Sequence, residues 1–178
     1  MENGSQEGDM PGPGQARRGR TLGVDVGRAR VGLAVTDPDG MLATPVDTLP
    51  RDRASGACRR RIVAHTLETE AVAVYVGLPL NLAGEATAST DDAVAYAGRL
   101  AAELSAAGST AVVRLIDERM STVSAQRGLH ASGRTVKNSR AVIDQAAAVE
   151  ILQSAVDVQR RTGLWAGRDA EFGVNEQE

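Results

Sequence analysis

The spacing between apolar runs constrains this chain most. Thr21–Val26 and Val31–Val35 each read as a strand, and the turn Thr36-Asp37-Pro38-Asp39-Gly40 leads to a third at about Met41–Thr48. Connections this short cannot hold crossover helices, so the three strands form an antiparallel meander. The period then changes. Asp52–Glu70 reads as a helix anchored by Ile62, Val63 and Leu67, and Ala71–Leu78 is an almost wholly apolar run, as in a strand covered on both faces. A second helix begins near Ser89 or Thr90, buries Val94, Ala97, Ala101 and Leu104, and ends at Gly108. A fifth strand is expected at Ala111–Asp117, a helix from about Thr122 to His130, a polar loop at Gly133–Asn138 and a long final helix at Ser139–Arg161. A meander followed by alternating helices and strands predicts an α/β fold: a mixed five-stranded sheet with helices on both faces.

That domain spans 20–162. Residues 1–19, rich in Gly, Pro and Gln, read as a disordered leader, and 163–178 as a mostly disordered acidic tail holding Trp165 and Phe172. The net charge of −3 hides a segregation. Residues 1–10 carry three acids and residues 169–178 carry four, with no base in either. The intervening chain keeps 16 acids against 20 Lys and Arg, a net charge of +4 that suits a polyanionic partner. The single cysteine, Cys58, excludes an internal disulfide, and no run spans a bilayer. A cytoplasmic protein is expected, with no membrane partner.

Three carboxylates stand where carboxylates are disfavoured. Asp25 lies inside the first strand, on the face it shares with Gly23 and Gly27. Glycines there admit a ligand or another backbone. Asp144 shares the stripe of the final helix with Ala148, Ile151 and Ala155. Asp117 and Glu118 end the fifth strand, where ligands of open α/β sheets gather, and alternation lets only one of them face a site. Residue by residue there are bland alternatives: a salt bridge from Asp25 to Arg28 or Arg30, a solvated acidic turn at 117–118, and a helix-dipole acid at Asp144. Taken together, the three repel unless a hard cation neutralises them, and Mg²⁺ or Mn²⁺ takes oxygen ligands of this kind. His65, His130 and Cys58 lack the spacing of a zinc site.

Four ordered motifs carry a resemblance. Gly23-Val-Asp25-Val-Gly27-Arg-Ala-Arg30-Val-Gly32, then Gly77-Leu-Pro-Leu-Asn81 with Gly84, then Asp117-Glu118-Arg119-Met120-Ser121-Thr122, then Asp144-Gln145-Ala146-Ala147 with Ile151-Leu152 together resemble the YqgF/RuvX family. The match covers about Arg20–Gln159. Tyr96 stands where many relatives have Phe, and the polar tails have no counterpart in the family core. The resemblance implies a ribonuclease-H-like fold and a metal-dependent nuclease with Asp25, Glu118 and Asp144 as catalytic and metal-binding residues around two Mg²⁺ or Mn²⁺ ions. It selects Glu118 over Asp117, which spacing alone does not. The implied substrates are the 5′ end of the small-subunit ribosomal RNA precursor or a branched DNA junction. Ribosomal particles are a further implied partner, and a monomer or a homodimer fits. Arg28, Arg30, Asn81, Arg119, Arg134, Lys137 and Arg140 are the candidate nucleic-acid contacts. The rival reading from another class is an actin/Hsp70-like ATP-binding protein, which shares the Asp-x-Gly hairpin but needs two such domains. A nucleic-acid-binding module with a dead active site is a further alternative.

Overall fold

The computed structural model describes residues 12, 14–120 and 136–170. The strands are β1 (Thr21–Val26), β2 (Arg30–Thr36), β3 (Ala43–Pro50), β4 (Ala73–Leu78), β5 (Val112–Asp117) and β6 (Arg168–Asp169). The helices are α1 (Ala57–Glu68), α2 (Ala88–Ala106) and α3 (Val136–Thr162), and one 3-10 turn spans Glu118–Met120. The strands form one sheet in the order β3-β2-β1-β4-β5-β6. β1, β4 and β5 run parallel, and the meander β1-β2-β3 is antiparallel as the short turns require.

Strand alternation sorts the core into two layers. Leu22, Val24, Val31, Leu33, Val74, Val76, Val113 and Leu115 pack with α1 and α2 through Cys58, Ile62, Tyr96, Leu100 and Leu104. Ala34, Ala73, Tyr75 and Ile116 face α3 through Ala148, Ile151, Leu152, Ala155 and Val156. The α3 side of β1 and β2 is built from small residues for a steric reason. A Cβ on Gly23 would stand 2.6 Å from the Ala148 carbonyl and from Leu152, and one on Gly32 would collide with the Asp144 carbonyl. The close backbone is thus the helix itself.

Several boundaries differ from the sequence expectation. β3 starts two residues later than predicted because the Asp37 carboxylate accepts hydrogen bonds from the amides of Asp39, Met41 and Leu42, which lengthens the turn. Those bonds hold its pKa below the usual carboxylate range. α1 starts at Ala57 rather than Asp52, since the Asp52 carboxylate caps Ala54 and Gly56 takes a φ of 63°. Leu67, predicted as an anchor, is exposed, and the buried row is Cys58, Ile62 and Thr66. α2 begins with a capping box between Thr87 and Thr90, one turn ahead of the expected cap. α3 begins at Val136, so 136–138 are helical rather than loop.

Residues 163–170, assigned to the tail on sequence, dock onto the domain. β6 pairs with β5 as a sixth strand, and Ala166 and Ala170 are buried. Gln15 of the leader bridges Leu164. The helix expected at Thr122–His130, with Arg134 and Phe172, lies outside the described residues, as does the side chain of Lys137, whose backbone is in α3. Among the described residues no helix is long and apolar enough to cross a membrane.

Candidate active site

Asp25 sits opposite Gly32 in the β1–β2 ladder, one residue before the end of β1. Since Gly32 has no side chain, the Asp144 backbone of α3 settles directly over it. Glu118 begins the 3-10 turn after β5, and its carboxylate lies against Gly77 of β4, where a Cβ would strike it. Three non-adjacent segments thus converge on the α3 face, at the carboxyl ends of β1, β4 and β5.

Asp25 and Glu118 hydrogen-bond to each other. Burial pushes Asp25 up to about 6, with the Asp144 charge adding to the rise and the bond to Glu118 opposing it. Burial pushes Glu118 up to about 7, helped by the Asp25 charge, by the bond that Asp25 accepts and by Asp117. Each carboxyl thus keeps its proton to higher pH than usual while it bonds the other.

Asp144 takes a different partner. Its Oδ2 accepts a hydrogen bond from Arg30 Nε at 2.9 Å. Among the described residues no three His, Cys, Asp or Glu side chains stand together closely enough to hold a metal ion. The structure therefore brings Asp25 and Glu118 into contact and leaves Asp144 within electrostatic reach, neutralised by Arg30. Three bare carboxylates would repel, and the guanidinium relieves that repulsion.

Geometry also separates Asp117 from Glu118. Arg119 grips Asp117 through Nε at 3.0 Å and a second nitrogen at 2.6 Å, and its guanidinium packs on Gly84. Asp117 is turned outward, which leaves Glu118 to face Asp25. Among the candidate substrate contacts, Arg28 and Arg140 are exposed, whereas Arg30 and Arg119 are tied to acids. Asn81 bonds inside its own loop: its Oδ1 accepts the Glu85 amide and its Nδ2 donates to the Glu85 carboxylate. Both bonds shape the loop, and the second N–H of its amide remains as a donor.

One network escaped the sequence. Arg51, just past β3, donates to the Gly27 carbonyl at 2.8 Å and grips Asp92 of α2 bidentately at 2.6 and 2.8 Å. Its own amide bonds the Ala29 carbonyl. The pair clamps the β1–β2 turn, two residues beyond Asp25, to the start of α2. Nothing in the sequence pairs Asp92 with Arg51, because the two lie 41 positions apart.

A family model described as "RuvX: Holliday junction resolvase" matches residues 19–158. A protein of Clavibacter michiganensis subsp. michiganensis named "Putative pre-16S rRNA nuclease" is 54% identical over 148 residues, covering 83% of this chain and 88% of that one. A protein of the same name from Mycobacterium ulcerans is 54% identical over 165 residues, covering 93% and 91%. Among solved structures, Thermus thermophilus RuvC in complex with a Holliday junction superposes with a TM-score of 0.56 at 14% identity, covering 83% of this chain and 98% of RuvC. That likeness speaks for the ribonuclease-H-like fold alone. The match across nearly the whole described domain, with close relatives aligned over most of their length, makes this chain a member of the RuvX family of nucleases.

Proposed function

We propose that this protein is a divalent-metal-dependent nuclease that processes the 5′ end of the small-subunit ribosomal RNA precursor in the cytoplasm. The observation that carries the reading is the half-buried Asp25–Glu118 pair under Gly77. Two acids in hydrogen-bond contact, each with its pKa raised, form a site that a hard cation would stabilise. The donor set is all oxygen and no Cβ intrudes from Gly77, so the residues fit Mg²⁺ or Mn²⁺. Asp25 and Glu118 would begin the shell of a pair of such ions, and Asp144, bonded to Arg30 and standing apart from them here, would complete it on leaving Arg30. When bound, the ions would activate a water for attack on the phosphodiester and stabilise the leaving oxygen.

The chain's own groups do the rest. Asp25 and Glu118 would give up any proton they hold as the site loads. The clamp from Arg51 and Asp92 fixes the turn that carries Arg28 and Arg30. Arg28, Arg30 and Arg140 stand within a few residues of Asp25 or Asp144 in the chain and would hold flanking phosphates, with Arg134 and Lys137 as further basic groups close to Arg140 in the chain. The RNA substrate is favoured by the names of relatives at 54% identity. Cleavage of branched DNA is the second reading, favoured by the family description; it would require two active sites and hence a homodimer.

The test is Asp25→Asn, assayed with Mg²⁺ on precursor rRNA fragments and on four-way DNA junctions. The variant should keep its melting temperature, since an amide beside Glu118 removes a repulsion. Cleavage should fall about a thousandfold, the equivalent of several kcal/mol of lost transition-state stabilisation. Full activity in Asp25→Asn would refute the assignment, and whichever substrate wild type cuts decides between the two readings.

A further inference from the structure

Among the described residues Asp144 has one cationic partner, Arg30, and it gains a second, resting on the metal-nuclease reading above, in whatever ion settles between Asp25 and Glu118. The Arg30 side chain is 40% exposed and uses only Nε to hold Asp144. Its terminal nitrogens make no hydrogen bond to other described residues, which leaves them to meet a phosphate, the acceptor a guanidinium matches best. Arg28 on the same turn is exposed and draws the polyanion to that place.

Both ends of the ion pair sit on fixed backbone. Gly32 seats the Asp144 carbonyl, Gly23 seats Ala148 and Leu152, and Thr48 donates to the Ala141 carbonyl at 3.0 Å. Arg51 holds Gly27, and the Gly27 amide bonds the Arg30 carbonyl at 2.9 Å. A change of partner therefore needs only side-chain rotation.

We propose that Arg30 is an exchangeable countercation, which neutralises Asp144 while the carboxylates lack metal and passes to a backbone phosphate when nucleic acid arrives, freeing Asp144 for the divalent ions. Nucleic acid and metal then bind cooperatively, and each tightens the other by the same factor. The pocket assembles fully only when a substrate lies across it.

Mn²⁺ affinity, read by electron paramagnetic resonance on ice over times short against cleavage, tests this without relying on turnover. Wild type, Arg30→Gln and Arg30→Lys are compared with and without a short RNA, and with the DNA of the same sequence. In wild type, nucleic acid should tighten Mn²⁺ about tenfold. Arg30→Gln should bind Mn²⁺ more tightly than wild type when alone and gain little from nucleic acid. Arg30→Lys, which keeps a charge beside Asp144 but loses the planar fork, should match wild type alone and gain less. Equal tightening by nucleic acid in wild type and Arg30→Gln, or weaker Mn²⁺ binding by Arg30→Gln alone, overturns the exchange while leaving the metal site standing. Absence of any Mn²⁺ binding that Asp25→Asn abolishes overturns both. The arm with the larger coupling, RNA or DNA, identifies the backbone that Arg30 accepts.

Discussion

A carboxyl group buried beside a second one keeps its proton to unusually high pH, and that has a thermodynamic consequence for Asp25 and Glu118. Their ordinary values are 3.8 and 4.5, and in the fold they rise to about 6 and about 7. The native state therefore binds protons more tightly than the unfolded chain. The stability they contribute is fully present below about pH 4 and is lost as pH climbs through 6 and 7. Metal-free protein should melt at a lower temperature at pH 8 than at pH 5.5, and Mn²⁺ should raise the melting point more at pH 8. Scanning calorimetry in chelator and in excess Mn²⁺ would show it; a melting point that rises across that interval in chelator would contradict it. Asp25 was legible in the sequence as a mid-strand acid on a face otherwise made of glycines, and Asp144 because it interrupts the apolar stripe of its helix. Glu118 was not separable from Asp117, since the choice is made by Arg119 capturing its neighbour, a contact that spacing does not encode. The bonds from Asn81 to Glu85 were not legible either, because Glu85 reads in the sequence as a solvated loop acid.

At the level of elements, the position of α3 sets the geometry of the site. Two glycines on adjacent strands, Gly23 and Gly32, let its backbone lie against the sheet. Gly32→Ala would put a methyl into the Asp144 carbonyl, and neither rigid strand nor helix can yield easily. We expect a loss of about 1–3 kcal/mol in urea denaturation, with a matching loss of Mn²⁺ affinity as Asp144 shifts. Unchanged stability would mean that α3 stands farther from β2 than described. Strand patterns were legible where alternation is strong, and β1 falls at Thr21–Val26 as read. The beginnings of β3 and α1 were not, because in both places an aspartate side chain bonds nearby amides and delays the regular element. β6 was invisible: two residues carry no period to read.

Across the whole molecule, charge and architecture agree. The acidic ends conceal a domain whose surface is net positive, and the acids that break the pattern lie at one pole of the sheet. The meander, the alternation that follows it and the two helical layers were all legible from the lengths of connections and the change of period. What sequence could not supply was the reach of the domain beyond Thr162.

The docking of β6 has a consequence for any shortened form of the protein. Arg114 donates to the carbonyls of Ala166 and Gly167, and Ala170 plugs the α2-side core. A chain cut after Thr162 would leave the backbone rim of β5 bare, a template onto which a neighbouring molecule could add its own strand. Such a truncation should self-associate with time, visible as growing light scattering, while the full chain stays dispersed. Eight residues that look dispensable would then act as a built-in stopper against polymerisation.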